Sequence, residues 1–168
     1  MSEKCECPAE GGAATCEVTV SAAGVSCPTC QRPGKAVDSG TLKALLARPL
    51  TEVRAVDYRF CRTPECPTVY YSVDGDQRFS EDDLRERVYQ KHLHDKRVFV
   101  CYCFRHTSHS IRQEFVATGA STVVRAITAG IQAGQCACDI RNPQGSCCLG
   151  NVRALVERIT ALRQEEKR

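Results

Sequence analysis

Twelve of the thirteen cysteines in this 168-residue chain fall into six close pairs, and nothing else in the sequence constrains its fold as strongly. The pairs are Cys5/Cys7, Cys27/Cys30, Cys61/Cys66, Cys101/Cys103, Cys136/Cys138 and Cys147/Cys148, with Cys16 left over. Paired cysteines staple a chain either as disulfides or as metal ligands. The N-terminus, Met1-Ser2-Glu3-Lys4-Cys5, lacks the basic-then-apolar pattern of a secretory signal, and no apolar run approaches the roughly 18 residues of a membrane span. The expected setting is therefore cytoplasmic, where thiols stay reduced and dense cysteine reads as metal binding. A staple is needed: with no Trp, five Phe and five Tyr, the hydrophobic core is thin. A net charge of +3 is too mild to argue for nucleic acid.

Residues 1–15, with Pro8, Gly11 and Gly12, read as a mobile tail, and Glu17 to Ser21 as a short strand. Asp38 or Ser39 caps a helix through Thr41 to Ala47 that Pro49 stops. Val53 to Phe60 alternates like a strand, and Thr68 to Val73 forms a hairpin with Gln77 to Phe79 around the turn Asp74-Gly75. Ser80 with Asp83 resembles a capping box opening a helix to about Gln90, with Leu84 and Val88 inward. The charged run His92 to Arg97 makes a junction, beyond which helices dominate. Val98 to Val100 is a short apolar run. Thr107 or Ser108 caps a helix to Gly119, and Ser121 caps another to Gly134. The last runs from about Leu149 to Leu162, with Val152, Leu155, Val156 and Ile159 on one face. The expected class is α+β: a small zinc-ribbon-like module over 16–95, a helical module over 96–164 and a tail at 165–168.

Tetrahedral zinc takes four soft donors, and two close pairs on two loops supply them. Cys27-Pro28-Thr29-Cys30 is a C-x-x-C pair, and Cys61-Arg62-Thr63-Pro64-Glu65-Cys66 offers a looser C-x4-C pair between two strand candidates. Four cysteines close the coordination shell, which describes a structural zinc rather than a catalytic one. A thioredoxin-like dithiol is the rival for Cys27/Cys30, but that motif belongs at a strand-to-helix transition and here a turn at Gly34 follows.

Cys101-Tyr102-Cys103 suits one iron of a [2Fe-2S] cluster, and the second iron would draw on Cys136, Cys138, Cys147 and Cys148 more than thirty residues on. The Cys147/Cys148 pair opens the final helix, where backbone amides and the helix dipole favour anions and lower thiol pKa values. Spacing alone leaves Cys136 against Cys138 open, and Cys147 against Cys148. Adjacent residues at a helix start point about 100° apart, so both members of that pair rarely face one cluster.

The strings Val100-Cys101-Tyr102-Cys103 and Cys138-Asp139-Ile140-Arg141-Asn142-Pro143-Gln144-Gly145-Ser146-Cys147-Cys148-Leu149-Gly150 resemble the N-terminal domain of CopZ copper chaperones. That domain is related to the helical bacterioferritin-associated ferredoxin fold. With the C-P-x-C and C-x4-C pairs, the resemblance covers about residues 24–162. It implies a four-cysteine zinc in the first module and a [2Fe-2S] cluster in the second, held by Cys101, Cys103, Cys138 and Cys148. Cys147 belongs to the string without being a ligand in it, and Cys136 has no role there. The turn at Asn142-Pro143 with Gly145 either donates amides to the cluster sulfurs or is an ordinary loop. The family's copper site, M-x-C-x-x-C on a further domain, has no counterpart, since the only Met is Met1. The expectation is the zinc/iron–sulfur half standing alone.

Cys5 and Cys7 offer a flexible acceptor for a soft ion such as Cu(I), bound transiently, or are a pair of exposed thiols. Cys16 reads as a small buried residue. His92, His94, His106 and His109 read as surface or capping residues. Arg112, Arg125, Arg141 and Arg153 shield cluster charge, dock an acidic partner or solvate helix faces. The sequence shows no paired carboxylates or nucleophile–base set of the kind a hydrolase or transferase needs. The resemblance implies a redox or metallochaperone accessory in copper or other soft-metal homeostasis, passing single electrons and reducing Cu(II) to Cu(I). The expected partners are metal ions and a redox partner, metal transporter or chaperone, with no nucleic acid and no membrane insertion. The alternatives are a redox- or metal-sensing interaction module and a zinc scaffold with spare thiols.

Overall fold

The computed structural model describes residues 26–165, so Cys5, Cys7, Cys16 and the strand expected at Glu17 to Ser21 lie outside the described residues. Asp38 caps the first helix as expected: its backbone is extended and its Oδ1 accepts from Gly40 N at 2.7 Å. Helix α1 (Ser39–Leu45) buries Thr41, Leu42 and Leu45. Before it lies β1 (Lys35–Val37), three largely exposed residues with too short a pattern to announce a strand. β1 pairs antiparallel with β2 (Tyr58–Phe60), β2 with β3 (Thr68–Ser72) and β3 with β4 (Arg78–Ser80), in the order β1-β2-β3-β4. Leu42 and Leu46 pack on this sheet against Phe60, Val69, Tyr70 and Phe79.

Two expectations change in this half. The strand anticipated from Val53 begins only at Tyr58, because the Gln77 side chain occupies the backbone before it. Gln77 Nε2 donates to Glu52 O at 2.7 Å and its Oε1 accepts from Arg54 N at 3.0 Å. The helix anticipated from Ser80 to Gln90 is replaced by two separate 3-10 turns, Glu81–Asp83 and Tyr89–Lys91. The capping contact is present, with Ser80 N donating to Asp83 Oδ2 at 2.8 Å. The chain then extends, because the end of α1 competes for it: Ala47 N donates to Asp83 O at 2.7 Å and Arg85 N to Leu45 O at 2.9 Å. Leu84 bridges to Leu46 and is buried with it. Orphan groups at the end of one helix therefore prevent the next from forming.

The second half opens with a hairpin, β5 (Phe99–Cys101) and β6 (His106–Thr107). Helix α2 (Ser108–Thr118) is capped by Thr107, whose Oγ1 accepts from Ser110 N at 3.1 Å, and ends at Gly119 in the left-handed region at φ 77°. Helices α3 (Val123–Gln132), α4 (Cys138–Arg141) and α5 (Leu149–Glu165) follow. Their core joins Val98, Val100, Ile111, Phe115, Ile127, Val152, Leu155 and Ile159, and takes in Tyr89 from before the hairpin. α3 starts one residue later than a Ser121 cap would place it, with Thr122 as N-cap. Glu114 of α2 supplies the acceptors: Oε1 takes Thr122 N at 2.9 Å and Thr122 Oγ1 at 2.6 Å, and Oε2 takes Ser121 Oγ at 2.9 Å.

The Asn142–Gly145 turn joins the two cores. Asn142 is fully buried; its Nδ2 donates to Ser146 O at 2.6 Å and its Oδ1 accepts from Gln144 N at 3.2 Å. Tyr70, buried in the sheet, donates its hydroxyl to Pro143 O at 2.6 Å. Gly145 sits at φ 61°, and a Cβ there would come within 3.2 Å of Val37 and 3.3 Å of Thr41, so the position needs glycine for its backbone and for the close approach. Among the described residues no helix is long and apolar enough to cross a membrane.

Hydrogen bonds, first of all that from the Thr122 hydroxyl, hold the Glu114 carboxyl below its ordinary value. Its stabilising contribution is therefore present above the unfolded-state pKa of about 4.3 and is lost as pH falls through the lower folded value. In denaturant unfolding, Glu114→Gln is expected to cost about 1 kcal/mol at neutral pH, with the gap to wild type closing below about pH 4. Tyr70→Phe, which leaves the buried Pro143 carbonyl without its donor, is expected to cost about 1.5 kcal/mol and lower the melting temperature by roughly 3–6 °C.

Candidate metal centres

The first centre is built by two loops, the one that holds Cys27 and Cys30 and the connection between the central strands β2 and β3, which holds Cys61 and Cys66. In the first, Cys27 N donates to Arg32 O and Gln31 N to Cys27 O, both at 2.8 Å, which folds Cys27 to Cys30 into a tight knuckle. Gln31 pays for that turn with a left-handed backbone, φ 59°, and its side chain steadies it by donating to Pro28 O at 3.1 Å. In the second, Cys61 N donates to Val69 O at 2.8 Å and Cys66 N to Thr63 O at 3.3 Å. The sulfurs of Cys27, Cys30, Cys61 and Cys66 all lie within 4.8 Å of one another. Cys27 Sγ is 3.9 Å from Cys66 Sγ, and Cys30 Sγ is 3.6 Å from Cys61 Sγ. A tetrahedron with Zn–S bonds of about 2.3 Å has edges of about 3.8 Å, so the two measured separations bracket what zinc requires.

The surroundings favour thiolate at Cys30 and oppose it at Cys61 and Cys66. Burial raises the Cys30 thiol, but hydrogen bonds from Thr63, the Arg32 backbone and neighbouring thiols outweigh it and bring it to about 6. Burial pushes Cys61 up to about 12 and also raises Cys66, so these two need a cation to lose their protons. The backbone amides two residues beyond Cys30, Cys61 and Cys66, those of Arg32, Thr63 and Thr68, each bond the sulfur behind them. Lys91 adds a positive charge near Cys61 and donates Nζ to Thr63 O at 2.6 Å, which ties the second loop down.

The second centre gathers cysteines from the β5–β6 hairpin, the segment entering α4 and the start of α5. Cys103 Sγ is 3.6 Å from Cys138 Sγ and 3.9 Å from Cys136 Sγ, and the last two are 3.3 Å apart. Cys101 and Cys148 are buried behind them, and the Cys148 thiol interacts with those of Cys101 and Cys138. Those contacts with Cys101 and Cys138, then burial, raise Cys148. The contact with Cys148 lowers its neighbours, Cys101 to about 7 and Cys138 to about 5. Burial pushes Cys103 up to about 12 and raises Cys136. Backbone amides again face sulfur: Ala137 N donates to Cys103 Sγ at 3.3 Å, and amides of Cys103 and Phe104, Cys138 and Cys148 bond Cys101, Cys136 and Cys138 respectively. The hairpin reverses through Arg105 at φ 55°, whose guanidinium lies 4.3 Å from the centre of the Phe99 ring.

The structure thus brings Cys27, Cys30, Cys61 and Cys66 into one group and Cys103, Cys136 and Cys138 into another, to which Cys148, itself in contact with Cys101, connects through Cys138. It also places Cys136, which spacing left open against Cys138 and to which the family resemblance gives no role, directly against Cys103 and Cys138. The signal for it was its C-x-C spacing with Cys138, the same spacing as Cys101/Cys103. Cys147 is exposed and belongs to neither group. The Asn142–Gly145 amides do not reach sulfur as one reading anticipated: Gln144 N bonds Asn142 Oδ1 and Gly145 N bonds Asn142 O at 2.8 Å, so both are used inside the turn. Among the histidines, His92 Nε2 pairs with Glu81 Oε2 at 2.5 Å, and none joins a metal-competent group among the described residues. Arg141 lines a cleft of about 250 Å³ with Arg85, Arg105, Glu86 and Tyr102, so its lining carries three arginines and one glutamate.

Comparison with known proteins agrees with the first centre. The zinc-binding domain model of the CopZ family matches residues 24–85. The X-ray structure of the Archaeoglobus fulgidus CopZ N-terminal domain is similar to this chain, with a TM-score of 0.64 and 27% identity over 77% of this chain and 96% of that one. No curated protein matches the chain. Residues 24–85 therefore constitute a CopZ-type zinc-binding domain.

Proposed function

We propose that this protein is a zinc- and [2Fe-2S]-binding accessory of copper or other soft-metal homeostasis, working in the reducing cytoplasm. Cys27, Cys30, Cys61 and Cys66 hold a structural zinc that fixes the first module, residues 16–95. Cys101, Cys103, Cys138 and Cys148 hold the cluster in a second, bacterioferritin-associated-ferredoxin-like module, residues 96–164. The observation that carries the cluster is the second sulfur group itself: thiols from three separate elements meet there, and backbone amides bond several of them. Donated N–H groups are what a negatively charged iron–sulfur core takes from its surroundings. Cys138 is preferred over Cys136 as ligand because it is buried and touches both Cys103 and Cys148. Cys148 is preferred over Cys147, which is exposed.

When bound, such a cluster supplies one-electron chemistry. The chain's own residues then hold the sulfur positions, keep water from Cys101 and Cys148 by burial, and present the arginine-lined cleft to an acidic redox partner. The cargo that suits this chemistry is copper: one electron converts Cu(II) to Cu(I), the state that thiolate carriers hold. The similarity to the CopZ N-terminal domain supports the same assignment.

Anaerobically purified protein is expected to be red-brown, with two irons, two sulfides and one zinc per chain, and to bleach with dithionite. A colourless protein containing zinc alone would overturn the cluster. At the zinc centre, Lys91→Met removes the tie to the Thr63 carbonyl and is expected to weaken zinc by about tenfold in competition with a chromophoric chelator, with the circular dichroism spectrum unchanged.

A further inference from the structure

Four thiolates complete a [2Fe-2S] cluster, yet the second centre holds five sulfurs. The surplus is confined to one side. Cys101 and Cys148 are buried together at the back, whereas Cys103, Cys136 and Cys138 lie mutually within 4.8 Å at the front. Cys136 and Cys138 flank the Ala137 amide, which donates to Cys103 Sγ at 3.3 Å, so the two sulfurs sit on either side of a common anchor. Their own separation is 3.3 Å and their distances to Cys103 differ little, 3.9 against 3.6 Å. They also differ in setting: Cys138 is the buried first residue of α4, while Cys136 is half-exposed in the irregular segment between Gly134 and that helix.

We infer that Cys136 and Cys138 share one iron position of the cluster, either thiolate able to take it while the other stands by. The inference rests on the cluster reading above and goes beyond it by giving the fifth cysteine a ligand role. In an exchange, the bond from iron to one sulfur breaks as the bond to the other forms, and the proton of the incoming thiol passes to the released one. No electron is gained or lost and no outside reagent is required. The half-exposed member of the pair provides the route by which that iron is reached from solvent, whereas the Cys101/Cys148 side has none of that exposure.

Alanine variants test this without offering iron a replacement oxygen. Cys136→Ala and Cys138→Ala are each expected to keep about two irons and two sulfides per chain, Cys138→Ala with shifted visible and circular dichroism bands. The double variant is expected to lose most of its iron while keeping its zinc, which shows that the first module remains folded. If either single variant is emptied of iron like the double variant, the sharing is overturned. The wild-type protein gives a second reading that does not depend on variants. Brief alkylation of the loaded protein followed by trypsin yields the peptide Ala126 to Arg141, which contains both cysteines. Sharing predicts singly labelled peptide with the label divided between Cys136 and Cys138, and label on Cys136 alone overturns it. Iron-free wild-type protein would remove the cluster reading itself, a result separate from iron loss confined to the variants.

Discussion

Sulfur atoms drawn together inside a protein repel one another as soon as they ionise, and the fold is arranged around that fact. Two thiolates 3.6 Å apart in a poorly screened interior destabilise a structure unless a cation or oriented dipoles lie between or behind them. This chain answers with one local device used repeatedly. The amide two residues beyond a cysteine turns back onto its sulfur, at Cys30, Cys61, Cys66, Cys101 and Cys136. The device demands tight turns, and two of them force a residue with a side chain into the left-handed region, Gln31 and Arg105. Each is steadied by its own side chain, Gln31 through a carbonyl and Arg105 through an aromatic ring. The metal chemistry and the backbone geometry are one problem with one solution.

Much of this could be read from the sequence because the signals were local. The capping residues Asp38 and Thr107, the Asp74-Gly75 turn and the apolar face of the last helix act within a few residues and lie where periodicity puts them. The C-x-x-C and C-x4-C pairs likewise converge as their spacing suggests. What could not be read depended on partners distant in the chain. β1 exists because Tyr58 to Phe60 is there to pair with it, and carries no pattern of its own. Ser80 and Asp83 form a genuine capping contact, yet no helix follows, because the end of α1 draws residues 83–85 into extended pairing. A start signal is only as good as the absence of a competitor downstream.

The same distinction explains the cysteines. Spacing indicated that Cys136 or Cys138 should serve the second centre, and it left the choice open. Three-dimensional placement shows both arriving, Cys138 reaching the buried Cys148 and Cys136 remaining nearer the surface. The Asn142–Gly145 turn, which motif reasoning attached to the cluster, spends its amides on itself and its outer face on the neighbouring sheet.

That turn has a consequence for the order in which the chain assembles. Its docking surface is made by Val37, Thr41 and Tyr70, the last of these 73 residues away from Pro143. The sheet and α1, which carry them, join near neighbours in sequence that close early and at little entropic cost, whereas a contact spanning 73 residues closes late. The short segment that leads out of the turn into α5 carries Cys148, so the last sulfur of the second centre reaches its place only after the first half of the chain has offered a surface to receive it. Synthesis from the N-terminus follows the same sequence of events, and a nascent chain holds an incomplete second centre from the making of Cys101 until Cys148 is in place.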